Sequence, residues 1–314
     1  MSDSRLALVT GGAGFIGSHL ARRLLKEGWR VDIIDNLRTG SRENVPEGAS
    51  FYFLDLSRDD LTHELPDVRY DVVFHLAAQS SGEISFDDPV YDMKTNCLST
   101  LLLLDWCKKN GIKRFIYTSS MSIYGDQDVQ PVDENMLPRP NSFYGVGKLA
   151  SESYMSIYSK LGVNTTALRL FNAYGPGQNL ANLRQGMVSI YMAYILRNEE
   201  VIVKGSPDRY RDLVYVDDIV EALIGIVDNP KTFGQQYNVG TGCKTTVGEL
   251  IEAQLGAFGY KPGQYPVKYV EGTPGDQFGV FANREKIKND TGWSASITLN
   301  EGLQRMVEWA KNLR

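Results

Sequence analysis

Tyr144 and Lys148 stand four residues apart in a stretch of helical spacing over residues 144–161. That spacing places both side chains on one helix face. A free phenol titrates near 10 and is a poor base at neutral pH. An ammonium group beside it favours the phenolate, and lowering the phenol's pKa by ~3 units corresponds to ~4 kcal/mol of differential stabilisation. Such a pair can take a proton from a hydroxyl and return it. A partner hydroxyl is available in Thr118-Ser-Ser-Met-Ser-Ile-Tyr-Gly125, at the end of a strand-like run. Ser120 is the candidate to bond the reacting oxygen and relay its proton. Ser119 and Ser122 share the segment, and any of the three could simply cap a turn. Tyr-x-x-x-Lys alone is common and mostly structural, so its meaning depends on what surrounds it.

What precedes it is a glycine turn, Thr10-Gly-Gly-Ala-Gly-Phe-Ile-Gly17, between a strand-like run and a helical one. Gly11 permits a tight turn, Gly14 lets backbone approach a pyrophosphate, and Gly17 lets the helix pack close to the sheet. The free N–H groups of the helix start then suit phosphates. Asp35 closes the next strand, where an acid can bond both ribose hydroxyls and repel a 2′-phosphate. NAD is therefore expected over NADP, with Arg38 taken as a solvated loop charge. A cationic nicotinamide ring would also favour the phenolate of Tyr144. Asp55-Leu56 could meet the adenine edge or form a turn. Ala77-Ala78 are small enough for close cofactor approach or for plain packing. Gly147-Lys148 suggests a phosphate loop, but Ser142 stands where a glycine is required and Leu149 replaces Ser/Thr.

These groups need a scaffold that brings strand ends together. Strand signals at 6–9, 30–35, 51–54, 71–75, 114–118 and 165–170 alternate with helical ones at 16–25, 90–110 and 144–161. That alternation predicts an α/β fold, a doubly wound parallel Rossmann sheet covered on both faces. After Phe171 prolines and glycines punctuate the pattern, while helices recur at 187–197, 217–227, 247–258 and 299–311. The expected organisation is an NAD-binding domain of residues 1–170 and about 212–240, with a smaller C-terminal substrate-binding lobe of about 171–211 and 241–314.

Composition removes other classes. The 314 residues are 42% hydrophobic and 23% charged, enough for a full core without staples. A net charge of −5 disfavours a nucleic-acid binder. Cys97, Cys107 and Cys243 form no CxxC pair, and His19, His63 and His75 are widely spread, so neither a disulfide framework nor a metal site is expected. The first residues show no secretory leader, and the densest apolar run, Leu101 to Leu104, is too short for a bilayer. A cytoplasmic protein is expected, with no membrane partner.

Taken together, TGGAGFIG, Asp35-Asn36, His75 to Ser80, Asn96, TSSMSIYG, Tyr144-x-x-x-Lys148, Leu168 to Gly177, Arg211 to Asp218 and Asn238 to Gly242 resemble the extended short-chain dehydrogenase/reductases. The nearest likeness is to the NAD-dependent nucleotide-sugar epimerase/dehydratase family, of the UDP-glucose 4-epimerase kind, and it runs nearly end to end. The resemblance implies that Phe15, Ile16, Asn36 and Asn96 join Gly11, Gly14, Gly17, Asp35, Asp55, Leu56, Ala77, Ala78, Tyr144 and Lys148 around the cofactor. It implies a nucleotide-diphosphate sugar substrate, met by Ser120, Asn172, Arg211 and Asp276. Guanidinium geometry suits a diphosphate, although Arg211-Asp212 could also be a local ion pair. Gly275-Asp276 resembles a late Arg-x-Gly-Asp signature with Thr273 in the arginine's place. Val280 falls where the family often carries a bulky residue limiting the sugar's 2-substituent. Met121 and Ser122 stand where dehydratases carry Asp-Glu, and Ser122 where decarboxylases carry Glu. The likeness therefore favours 4-epimerisation over elimination or decarboxylation. A dehydrogenase releasing NADH and a non-catalytic dinucleotide sensor are the alternatives. A homodimer is expected through Leu101 to Leu104, Met155, Ile157 and Tyr158, unless those residues are buried within one subunit.

Overall fold

Short runs of β-branched and apolar residues favour a parallel sheet covered on both faces. In the computed structural model, which describes residues 4–58, 60, 63–272 and 277–313, the first half reads β1 (Leu6–Thr10), α1 (Phe15–Lys26), β2 (Arg30–Asp35), β3 (Ser50–Phe53), β4 (Val72–His75), α2 (Pro89–Met93), α3 (Ser99–Lys109), β5 (Arg114–Ser120), α4 (Phe143–Lys160) and β6 (Asn164–Leu170). There follow β7 (Asn172–Tyr174), α5 (Met187–Leu196), β8 (Val201–Lys204), β9 (Tyr210–Arg211), β10 (Leu213–Tyr215), α6 (Val216–Gly225) and β11 (Gln235–Val239). The chain ends with β12 (Thr245–Thr246), α7 (Val247–Phe258), β13 (Val267–Val270), β14 (Gly279–Val280), α8 (Glu285–Thr291) and α9 (Leu299–Lys311).

Seven strands form one parallel sheet in the order β11-β6-β5-β4-β1-β2-β3. The order reverses at β1, which lies between β2 and β4, and a crevice opens there beyond the strand ends. Alternate residues of β1 serve opposite faces. Ala7 and Val9 join a core with Leu20 and Leu24 of α1 and Ile219 and Leu223 of α6. Leu6 and Leu8 join another with Leu103 and Leu104 of α3 and Met155 of α4. The doubly wound Rossmann sheet expected from the sequence is therefore present. A third core, built around Tyr174, Met192, Val203, Leu250 and Met306, gathers α5, α7, α9 and the short strands.

Two details depart from the sequence expectation. The helix over 90–110 widens into a π-helical turn at Lys94–Leu98, between α2 and α3. The second half also contains strands of two to four residues, too short to show a period of two. Leu103, Leu104 and Met155 are buried inside the subunit's own core, so they cannot form a surface between subunits. Among the described residues no helix is long and apolar enough to cross a membrane.

Candidate active site

The glycine turn is shaped by what cannot fit there. Gly11 has φ of 71°, and a Cβ on it would lie 2.7 Å from the Ala77 nitrogen. A Cβ on Gly17 would run into the Gly11 carbonyl oxygen, and one on Gly14 would sit 3.1 Å from the same atom. The start of α1 carries no side-chain cap at Gly14, so its N–H groups remain available to an anion. Asp35 is oriented by the chain itself: Oδ2 accepts from Ala13 N at 3.0 Å and Oδ1 from Leu37 N at 2.8 Å. Burial pushes its carboxyl up, and those two N–H groups oppose the shift. Each oxygen keeps acceptor capacity, which suits a pair of ribose hydroxyls. Burial also pushes Asp55 up, but hydrogen bonds from Ser57 and Asn36 outweigh it and leave the carboxyl below its ordinary value. Arg38 is exposed and stacks 4.1 Å above the Tyr91 ring.

The sequence reading missed the loop that closes this end. Ser41 N and Asn44 Nδ2 donate to Ala13 O at 3.1 and 3.0 Å. A Cβ on Gly40 would come within 2.8 Å of the Ala13 carbonyl carbon. The only local signal was Gly40 itself.

Two further glycines bring α4 to the sheet. Ser142 caps the helix by accepting from Gly145 N at 3.1 Å. A Cβ on Gly145 would lie 2.6 Å from Ser122 O, and one on Gly147 would lie 3.0 Å from Asn96 Cβ. Gly147, part of the failed phosphate-loop match, is thus a contact point of α4 with the π-helical turn. Lys148 is buried, and its Nζ donates to Thr118 O at 2.8 Å, 4.5 Å from the Tyr117 ring centre and 5.6 Å from that of Tyr144. Burial pushes its ammonium down to about 7, against the charges of Asp92 and Glu152. Tyr144 behaves differently from the sequence expectation. Burial pushes its phenol up to about 12, a hydrogen bond with Ser120 pulls it down, and the Asp92 charge raises it further. The chain alone therefore keeps the phenol protonated, because burial outweighs the Ser120 hydrogen bond.

Ser120 Oγ accepts from Ser122 N and donates to Ser122 Oγ, both at 3.1 Å. Ser119 turns away and donates to Glu152 Oε1 at 2.5 Å, behind the site, where Glu152 pairs with Arg169 at 2.8 Å. Asn96 is buried and does not line the cavity; its Nδ2 donates to Gln79 O and Asp92 Oδ1.

At the far end Arg211 is buried, and its guanidinium donates to Tyr210 O at 2.7 Å and Phe278 O at 3.3 Å. Burial pushes it down to about 10, and neighbouring Arg209 adds to the shift. The local ion pair with Asp212 does not form. That carboxylate accepts instead from Thr241 N and Oγ1, Gly242 N and Ala282 N. Arg209, missed in the sequence, lines the same cavity. Its two-residue spacing from Arg211 across β9 was the available signal. Of the buried amide atoms without partners, those of Asn172, Gln178 and Gln277 are on the cavity wall, while Asn96 Oδ1 and Gln254 Oε1 lie off it. Asp276, with Thr273 and Gly275, lies outside the described residues. Val280 does not line the cavity: it is fully buried in the core beside Val132 and Ala282.

One cavity of about 1060 Å³ joins these parts. It runs from Gly11, Gly14, Phe15, Ile16, Gly17, Asp35, Asn36, Asp55 and Leu56, past Ala77, Ala78, Ser120, Tyr144 and Lys148, to Asn172, Arg209 and Arg211. A dinucleotide fits the first part: a cradle that admits no Cβ, an uncapped helix start and a carboxylate with acceptor capacity left.

Comparison with known proteins agrees. A family model described as the NAD dependent epimerase/dehydratase family matches residues 7–240. A putative UDP-glucose 4-epimerase of Methanocaldococcus jannaschii is 34% identical over 98% of this chain and 99% of its own length. UDP-glucuronic acid decarboxylase 6 of Arabidopsis thaliana is 35% identical over 96% of this chain and 87% of its own. The crystal structure of a UDP-glucose 4-epimerase from Thermotoga maritima, solved with UDP-glucose, superposes with a TM-score of 0.93 at 37% identity, covering 98% of this chain and all (100%) of that one. The chain belongs to the NAD dependent epimerase/dehydratase family, and its cofactor is NAD.

Proposed function

We propose that the protein is a nucleotide-sugar 4-epimerase that takes a UDP-hexose or UDP-N-acetylhexosamine through a transient 4-keto sugar. The observation that carries this reading is the shared cavity wall of Ser120, Tyr144 and Lys148, placed between the Asp35 end and the Arg209–Arg211 end. Residues 1–170 with 212–240 serve as the NAD-binding unit and the remainder as the sugar-nucleotide lobe. The two arginines and Asn172 hold the diphosphate. The Asp212 carboxylate next to Arg211 is spent on Thr241, Gly242 and Ala282.

NAD, when bound, supplies a two-electron acceptor for the sugar C4 and returns the same electrons. Ser120 hydrogen-bonds the 4-oxygen and fixes its distance from Tyr144. The phenolate oxygen of Tyr144 takes the 4-hydroxyl proton and later gives it back. Lys148 adds the positive charge that the buried phenol needs, held in place by Thr118 O. Met121 and Ser122 provide neither the acid nor the base that elimination across C5–C6 would need.

The test is incubation of purified protein with UDP-glucose, UDP-galactose, UDP-N-acetylglucosamine and UDP-glucuronic acid, with products resolved by NMR. A C4 epimer without accumulation of NADH is expected. A 4-keto-6-deoxy sugar, loss of carbon dioxide from UDP-glucuronic acid, or stoichiometric NADH would each overturn the proposal. Decarboxylation is the second reading, favoured by the Arabidopsis relative. It is opposed by Ser122, which stands where decarboxylases of the family carry Glu.

A homodimer remains part of this proposal, through Ile157, Leu161 and Val90, which stay exposed at 54%, 49% and 62%. Sedimentation as a monomer at micromolar concentration would remove it.

A further inference from the structure

One contact crosses the cofactor crevice and takes no part in the proton transfer. Arg38, on the loop after β2, stacks its guanidinium 4.1 Å from the centre of the Tyr91 ring in α2. In the sheet β2 and β4 flank β1, and the glycine cradle leaves the end of β1 between them. Arg38 follows β2, and Tyr91 follows β4. Their stack therefore closes a ring over the crevice at the switch point, where a dinucleotide lies in sheets of this kind. Both side chains line the cavity, with Asp35 and Asp55 on one flank and Ala77 and Ala78 on the other.

Each partner is held from its own side. Asp35 Oδ1 accepts from Leu37 N at 2.8 Å, and Asn36 Oδ1 accepts from Arg38 N at 3.0 Å. These two turns bend the chain through Leu37, whose φ of 56° lies in the left-handed region that a residue with a side chain rarely adopts. Such strain persists where the surroundings hold it, and it gathers at ligand clamps. Ser41 and Asn44 fasten the loop again at Ala13 O, so Arg38 sits on an arm anchored at both ends. Across the crevice Asp88 caps α2 by accepting from Tyr91 N at 2.9 Å, and Pro89 opens the first turn. The ring of Tyr91 is thus presented by a fixed helix start.

We infer that Arg38 and Tyr91 form a clasp across the cofactor crevice that parts for NAD to leave and so sets how long the cofactor stays bound. A planar guanidinium on an aromatic face suits this task. The contact needs no buried charge, because Arg38 is exposed, and an exposed stack of this kind opens at modest cost. The inference concerns the cofactor alone and holds whichever sugar nucleotide is turned over.

The experiment loads the protein with ¹⁴C-NAD, adds excess unlabelled NAD and follows the label that stays with the protein on rapid gel filtration. No sugar nucleotide is present, so failure of the 4-epimerase test would leave the result untouched. Tyr91→Ala and Arg38→Met should each speed release about 3- to 10-fold, the range of one cation–π contact. The double variant should release NAD no faster than either single one, since each change alone already parts the stack. Tyr91→Phe keeps the aromatic face and should keep slow release. Unchanged release in both single variants would overturn the inference. Effects that multiply in the double variant would do so too, because Arg38 and Tyr91 would then be separate contacts and not a pair. Release from Tyr91→Phe as fast as from Tyr91→Ala would assign the effect to the hydroxyl and also remove the clasp. Should Tyr91→Ala fail to fold, Tyr91→Leu takes its place with the same outcomes.

Discussion

The two ends of the cavity are built on opposite principles. At the Asp35 end the chain ties its own polar groups: Asp35 is held by Ala13 and Leu37, the Ala13 carbonyl by Ser41 and Asn44, and Thr10 Oγ1 sits 2.7 Å from His75 Nδ1. At the substrate end Asn172, Gln178 and Gln277 leave buried amide atoms unpartnered, and two arginines crowd each other. Every unpartnered buried group costs stability, on the order of 1–3 kcal/mol. A ligand that supplies the partner recovers that cost as affinity. The Asp35 end is thus held by its own chain, whereas the far end presents three buried amide atoms that a ligand could partner.

The boundary between the ends is the sharpest place to test this contrast. Tyr144→Phe should lower kcat by at least about 100-fold, as loss of an acid–base group does, with NAD content unchanged; stopped-time assays and cofactor extraction check both. Near-normal turnover would break the division at its centre. Next in size is Arg211→Ala, which removes charge from the far end. KM for the sugar nucleotide should rise about 10- to 100-fold, the range of a lost charge-assisted hydrogen bond, with NAD content preserved. A fall in NAD content instead would mean that the two ends are not separate.

Gly17→Ala attacks the Asp35 end. The added Cβ meets the Gly11 carbonyl oxygen, so stability should fall by more than about 2 kcal/mol and NAD should be lost on gel filtration. Unchanged NAD retention and melting would show that the cradle is not tight. The smallest effect concerns His75, whose titration is pushed down to about 3 by burial and by Lys148, against 6.5 in an exposed chain. Between those values the unfolded chain binds a proton that the folded one refuses. Stability is therefore full above pH 6.5 and drains as pH falls through that window. His75→Gln, which can still bond Thr10 and Thr100, should flatten the acid limb of the urea midpoint. A limb as steep as in the unmodified protein would assign the acid sensitivity elsewhere.

The long elements were legible because their periods are long enough to read. The boundaries of β2, α7 and α9 in the structure coincide with their sequence signals. Two-residue strands such as β9 and β14 carry no period, so the partnership that places Arg211 beside Val280 was invisible. The glycine turn and Asp35 were legible for another reason: the turn and the acid after it are local features tied to one geometry. Arg209, Gln178 and Gln277 come from three separate segments, and only packing brings them to one wall. Ser119 and Ser120 show the limit most directly. Neighbours on a strand point to opposite sides, and the sequence does not say which side holds the site.

By itself the sequence determined the element order, the parallel sheet, the glycine cradle and the helical pairing of Tyr144 with Lys148. All of these depend on spacing along the chain. The tertiary structure alone decided the charge states, because desolvation depends on what surrounds a group. It keeps the Tyr144 phenol protonated and brings Lys148 down to about 7.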